Sequence, residues 1–166
     1  MAKSKQAKSW EAVDLYKRGL ASYEKLGDLE DRDYFQMRKE MADALTRVGG
    51  YKDAAHYYEK FVEGMEKIGA PDERSTLEAL TSWGRAMCNR KTWSIAEKIL
   101  TKAIAGYGRI DALKDEKALV AMDYLGISYN GQERYSDAKD ILSRTLKSGR
   151  RWTTKRIEIS IVVAPV

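Results

Sequence analysis

The stretch Leu119–Leu146, LVAMDYLGISYNGQERYSDAKDILSRTL, decides how the rest of the chain is read. Leu119, Met122, Leu125, Gly126 and Tyr129 recur at helical intervals and lay one apolar stripe along a helix. Asn130-Gly131 supplies turn chemistry, and a second stripe follows at Tyr135, Ala138, Ile141, Leu142 and Leu146. Two amphipathic helices joined by a short turn make a helical hairpin. Neither helix can bury its stripe alone, so the hairpin must stack on something else.

The rest of the chain supplies it by repetition. Ala12, Ala54, Ala96 and Ala138 stand 42 residues apart. Tyr51, Trp93 and Tyr135 lie three residues before the last three alanines. Ala42, Gly84 and Gly126 lie twelve residues before those same alanines, each preceded by a large residue: Met41, Trp83 or Leu125. Leu45, Met87 and Tyr129 follow three residues further on. The register passes through three units without a slip, which marks a repeat architecture. The small residues fall where two helices approach most closely. A glycine inside a helix costs about 1 kcal/mol relative to alanine, and close packing explains accepting that cost at both Gly84 and Gly126.

These residues carry a resemblance. Trp83-Gly84 and Leu125-Gly126-x-x-Tyr129, followed by Ala96 and Ala138, resemble the tetratricopeptide repeat (TPR). The usual unit has about 34 residues, and a 42-residue unit is similar to the longer form in kinesin light chains and related adaptor proteins. The resemblance covers Ser9 to Leu146. It implies an all-α, TPR-like helical-hairpin solenoid, a right-handed superhelix of about seven helices, that works as a protein-interaction scaffold or adaptor.

Three segments are expected: a basic tail at 1–8, a solenoid of a half-repeat plus three repeats at 9–148, and a basic, then strand-like tail at 149–166. The first helix is expected from Ser9, as N-cap, to Leu26. Three hairpins follow: Asp31–Val48 with Tyr51–Ile68, Asp72–Asn89 with Thr92–Ile110, and the opening stretch, begun by Asp115 and Glu116 and closed near Gly149. Pro71, with Asp72 and Glu73 at the positive dipole end, suits the start of the second hairpin. After Gly149, Ile157, Ile159 and Ile161 alternate with Glu158, Ser160 and Val162, which is strand periodicity.

In the family that this sequence resembles, the inner face of each hairpin's first helix lines a groove for an extended peptide. Carried over by position, that face offers Gln36, Lys39, Asp43, Thr46 and Arg47. The second unit adds Glu78, Thr81, Arg85, Cys88 and Asn89, and the third Val120, Asp123, Ile127 and Asn130. Asparagine and arginine suit this role because they hydrogen-bond main-chain groups and carboxylates. Chaperone-binding repeat domains grip a C-terminal carboxylate with a lysine, two asparagines, a lysine and an arginine. The matching positions here hold Lys39, Asp43, Ser82, Asp123 and Ile127, and only Lys39 agrees. Two acids at a carboxylate site depart from that clamp and disfavour a chaperone-tail ligand.

Other function classes find little support. His56 is the only histidine and Cys88 the only cysteine, so neither a metal set nor a nucleophilic triad can be assembled around them. No P-loop or dinucleotide fingerprint is present. The expectation is a non-enzyme with no cofactor, no metal and no catalytic residue. With a lone cysteine and no apolar run long enough for a membrane, an intracellular, cytoplasmic setting without membrane contact is expected.

The net charge of +5 is concentrated at the ends. Lys3, Lys5 and Lys8 precede the first acid, and Lys147, Arg150, Arg151, Lys155 and Arg156 follow the last helical stripe, leaving the region between them net acidic. Trp152 among those cations admits phosphate contact and base stacking. A nucleic-acid-associated or assembly subunit is therefore the alternative to the adaptor, with self-association through the open ends as a further expectation.

Overall fold

A computed structural model describes the backbone of residues 2–27 and 29–147 and the side chains of residues 9–27 and 29–145. Among the described residues there are seven helices and no strand: α1 (Ala2–Leu26), α2 (Arg32–Val48), α3 (Tyr51–Lys67), α4 (Arg74–Asn89), α5 (Trp93–Arg109), α6 (Glu116–Gly131) and α7 (Tyr135–Lys147). The first helices of the three hairpins begin at residues 32, 74 and 116, and the second helices at 51, 93 and 135. The 42-residue register of the sequence is thus the register of the fold.

The backbone repeats in its turns as well. Gly49, Lys91 and Glu133 close the first helices with φ of 85°, 59° and 61°. The amide after each of them donates to the carbonyl of Leu45, Met87 or Tyr129 in turn, at 2.9, 3.0 and 2.9 Å. This is the left-handed helix-stop in which an orphan carbonyl finds a donor. Gly27, Gly69 and Asp111 repeat the left-handed conformation after the second helices, with φ of 76°, 75° and 52°. The geometry is kept even where a lysine, a glutamate or an aspartate must adopt it.

Each helix packs on the next in the chain, from α1 on α2 through to α6 on α7. In addition the backbone of α4 comes close to those of α2 and α6, whereas no two of the α1, α3, α5 and α7 backbones do. The first helices therefore crowd together on the inner side of the stack, and the second helices splay apart on the outer side.

The core runs continuously through the stack. Leu77, Leu80 and Leu100 are under 2% exposed, and each such burial contributes about 1.5–3 kcal/mol. A Cβ built on Gly84 would fall within van der Waals contact of Leu100, and one on Gly126 would lie 2.7 Å from Leu142 Cγ. A second such pair escapes the sequence reading: Gly64 lies under the ring of Phe35, and Gly106 under Leu77. Ion pairs Arg32–Glu73 and Arg74–Asp115 tie the start of one hairpin to the next at the same 42-residue spacing. Being exposed, each is worth at most about 1 kcal/mol.

Two expectations are corrected, and a third falls where the structure is not described. The first helix starts at Ala2, not Ser9, so the expected tail at 1–8 forms its opening turns and Ser9 is not a cap. The run Ala-Lys-Ser-Lys-Gln-Ala-Lys is mostly of good helix formers, and nothing in it stops propagation. The helix after Pro71 begins at Arg74 with Glu73 as N-cap, leaving Asp72 outside to pair with Arg109. The strand-like tail at 149–166 lies outside the described residues.

Replacing Gly84 or Gly126 by leucine is expected to lower stability by about 1–3 kcal/mol through overpacking. Urea denaturation followed by circular dichroism measures it, and unchanged midpoints for both variants would deny the close helix contact.

Candidate interaction surface

The sequence places Gln36, Lys39, Asp43 and Arg47 on one stripe of α2, and the structure shows how that stripe is used. Gln36 donates to Glu40 Oε1 at 3.0 Å, and Tyr16 of α1 donates to the other oxygen of that carboxylate at 3.4 Å. Lys39 reaches Asp43 Oδ2 at 3.4 Å, and the hydroxyl of Tyr58 donates to Asp43 Oδ1 at 2.5 Å. Tyr58 is fully buried. Burial first, and the Asp43 charge second, push its phenol well above the usual tyrosine range. Lys39 and Asp43 are therefore engaged in holding a core tyrosine. Arg47, at the exposed end of the stripe, is in no ion pair among the described residues.

On α4 the stripe divides. Glu78 and Arg85 are half-buried and Asn89 is exposed, with its amide donating to Arg85 O at 3.0 Å. Thr81 is only 3% exposed, and its hydroxyl turns back on Leu77 O at 2.9 Å. It is a packing residue and is withdrawn from the accessible face: its short side chain bonds its own helix backbone and is covered by its neighbours. Cys88 is also buried, with its thiol donating to Tyr124 O at 3.5 Å, and burial pushes that thiol from 9.0 up to about 12. On α6, Asp123, Ile127 and Asn130 are half-buried, as is Val120. The inner face is thus polar and mixed in sign on α2 and α4, and more apolar on α6.

The structure also shows a surface that the sequence reading did not assign. Two adjoining hollows, of about 370 and 550 Å³, run along the outer side between α1 and α3. Met41 and Leu45 of α2 form the floor, and Lys17, His56 and Tyr57 line both hollows. Arg38 stands at one end, its guanidinium 4.2 Å over the Tyr34 ring and donating to the Tyr34 hydroxyl at 2.6 Å. The signal in the sequence is that Arg38 occupies the position at which the next two repeats place the buried Leu80 and Met122. Among the described residues no group of three or more histidine, cysteine, aspartate or glutamate side chains could hold a metal ion. No described helix is long and apolar enough to cross a membrane.

Comparison with solved structures agrees with this geometry. Two crystal structures of nearly identical TPR-like repeats, assigned to a kinesin light chain of Podosopora anserina, superpose with TM-scores of 0.72 and 0.71. They share 20% and 21% sequence identity, covering 86% and 89% of this chain and 67% and 71% of theirs. BtubC (BKLC) from P. vanneervenii superposes at 0.66 with 14% identity, over 90% of this chain and 74% of its own. This chain has the TPR-like repeat fold. No family profile matches its sequence, and no curated protein does. The TPR-like register explains why α2, α4 and α6 share the inner side, and why the candidate residues fall there together.

The buried groups predict an alkaline limit to stability. Burial raises Cys88 from 9.0 and Tyr107 from 10.0, each to about 12, so the folded state holds these protons more tightly than the unfolded chain. Their contribution is complete below pH 9 and is lost as pH rises toward 12. Urea midpoints measured between these limits are expected to fall, most steeply above pH 10, where Tyr107 begins to ionise in the unfolded chain. A flat profile would contradict this account.

Proposed function

We propose that this chain is a non-enzymatic interaction scaffold that holds an extended segment of a partner protein against α2, α4 and α6. The observation that carries the reading is the crowding of these three helices on the inner side, with Arg47, Arg85 and Asn89 at its accessible positions. Arginine can fork onto a carboxylate, and the asparagine amide can bond an extended backbone. Gln36, Glu78, Asp123, Ile127 and Asn130 complete the surface, with Lys39 and Asp43 contributing what their bonds to each other leave free. The kinesin light chain assignment of the similar repeats supports a scaffold of this general kind. Changing Arg47, Arg85 and Asn89 together to alanine is expected to abolish binding to a validated partner while leaving the helical signal unchanged. Equal affinity of the triple variant, measured by calorimetry, would move the binding surface elsewhere.

A second reading, assembly through the N-terminal end, is favoured by one observation. Leu15 of α1 is 63% exposed, whereas the residues at the same position of α5 and α7, Ile99 and Ile141, are 7% and 8% exposed. In those hairpins the position is covered; in α1 it is open, and Leu26, about three turns further along the helix, is 80% exposed. Repeat arrays cover such faces with a neighbour or a polar cap, and a second copy of this chain would do so here. Light scattering over a range of concentrations is expected to show a dimer that Leu15→Glu returns to monomer. A wild-type chain that is monomeric throughout would end this reading.

A further inference from the structure

We propose that the seam between α1 and α3 is a second docking groove, built for an acidic, amphipathic segment of a partner protein. The three seams between successive outer helices, α1/α3, α3/α5 and α5/α7, are equivalent by register, and the first departs from the others in a consistent direction.

The first departure is charge. The lining of the α1/α3 seam holds four cations, Lys17, Arg38, Lys52 and Lys60, against two acids, Glu24 and Asp53. The exposed pair Lys17 and Lys52 is replaced by Glu59 and Ser94 in the second seam, and by Thr101 and Ser136 in the third. Neither Lys17 nor Lys52 is in an ion pair among the described residues. A cationic seam on a body that is net acidic is a local choice of charge, and it complements an acidic ligand.

The second departure is that this seam is left open. Lys102 of α5 crosses to Glu66 of α3, and Arg134, in the turn before α7, crosses to Glu97 of α5. The residues matching Glu66 and Lys102 in the first seam are Glu24 and Lys60. Here Lys60 turns instead to Glu63 of its own helix, at 2.6 Å, and Glu24 accepts from Tyr34 at 3.5 Å. No ion pair joins α1 to α3 among the described residues.

The third departure is the floor and walls. Arg38 and Tyr57 stand where the other repeats bury Leu80 and Ile99, or Met122 and Ile141. Apolar surface remains beside them in the half-exposed Trp10 and the partly buried Val13, above the buried Met41 and Leu45. From Trp10 to Glu24 the wall is about 21 Å long at the helical rise. Apolar floor with a cationic rim suits a segment that alternates carboxylates with aliphatic or aromatic side chains. Bare phosphate backbone would leave that floor unused.

The groove is separate from the inner surface. Arg38, Met41 and Leu45 lie on the opposite side of α2 from Gln36, Lys39, Asp43 and Arg47, as the helical repeat requires. The two surfaces can therefore be inactivated one at a time.

The test uses the full chain and three fluorescent probes followed by anisotropy. One is a synthetic peptide of about ten residues alternating glutamate with leucine and phenylalanine. The second carries lysine in place of each glutamate, and the third is a single-stranded oligothymidylate. The expected result is salt-sensitive binding of the acidic peptide alone. It should weaken at least about tenfold in the Lys17→Glu/Lys52→Glu variant and be kept in Lys17→Arg/Lys52→Arg. Both lysines are exposed, and circular dichroism checks that the fold survives. The Arg47, Arg85 and Asn89 triple variant should bind the acidic peptide as the wild type does, so failure of the inner groove would leave this result standing. No binding of the acidic peptide, unchanged binding in the charge-reversed variant, or preference for either of the other probes would overturn the proposal.

Discussion

The close approach of the two helices within each hairpin is the constraint on which the rest depends. Gly84 receives Leu100 and Gly126 receives Leu142, and a side chain at either glycine would occupy space that the leucine already fills. The corresponding pair in the first hairpin is Ala42 and Tyr58, both fully buried. The larger ring brings a hydroxyl into the core, and a buried hydroxyl without a partner costs roughly 1–3 kcal/mol. Asp43 supplies the acceptor, and Lys39 balances its charge. A packing choice thus reaches the surface: two residues of the expected binding stripe are committed by the size of one side chain beneath them.

The same constraint makes the stack collective. Each helix has one or two apolar faces that only a neighbour can cover, and the continuous core joins them from Leu20 to Leu142. The left-handed stops at 49, 91 and 133 hold the two helices of a hairpin at a fixed angle, whatever residue stands there. The backbones of successive inner helices approach one another and those of successive outer helices do not. Inner positions become a shared surface, and outer positions become separate seams.

That difference explains what the sequence could and could not reveal. The hairpins were legible because their signal is periodic: Ala54, Ala96 and Ala138 keep their register and are all buried. The start of α1 was not legible, because Ser9 is a fair cap but Ala2 to Lys8 propagate a helix just as well. The inner surface was legible in outline, since its residues belong to one stripe on each of three helices. Thr81 shows the limit of that reading. It shares its repeat position with Lys39 and Asp123, but its small side chain bends to its own backbone and is covered by neighbours. The outer seam was invisible because its walls come from α1 and α3, whose backbones stand apart, and its floor from α2. No periodicity within one helix records such a place.

What a repeat does record is departure from itself. Position by position, Tyr34, Arg38 and Tyr57 of the first unit correspond to Thr76, Leu80 and Ile99, and then to Ala118, Met122 and Ile141. The later units solve the packing with small and aliphatic side chains, all buried. The first unit reaches the same fold with a hydroxyl, a guanidinium and a second phenol, and must then satisfy them: Arg38 bonds and stacks on Tyr34, which in turn donates to Glu24. Polar networks of this kind add little stability over an apolar core and are costly when incomplete. The two neighbouring repeats show that the fold does not require it. A site that departs from an available, simpler solution within the same chain is best understood by what it presents outward, and here that is an open, cationic seam.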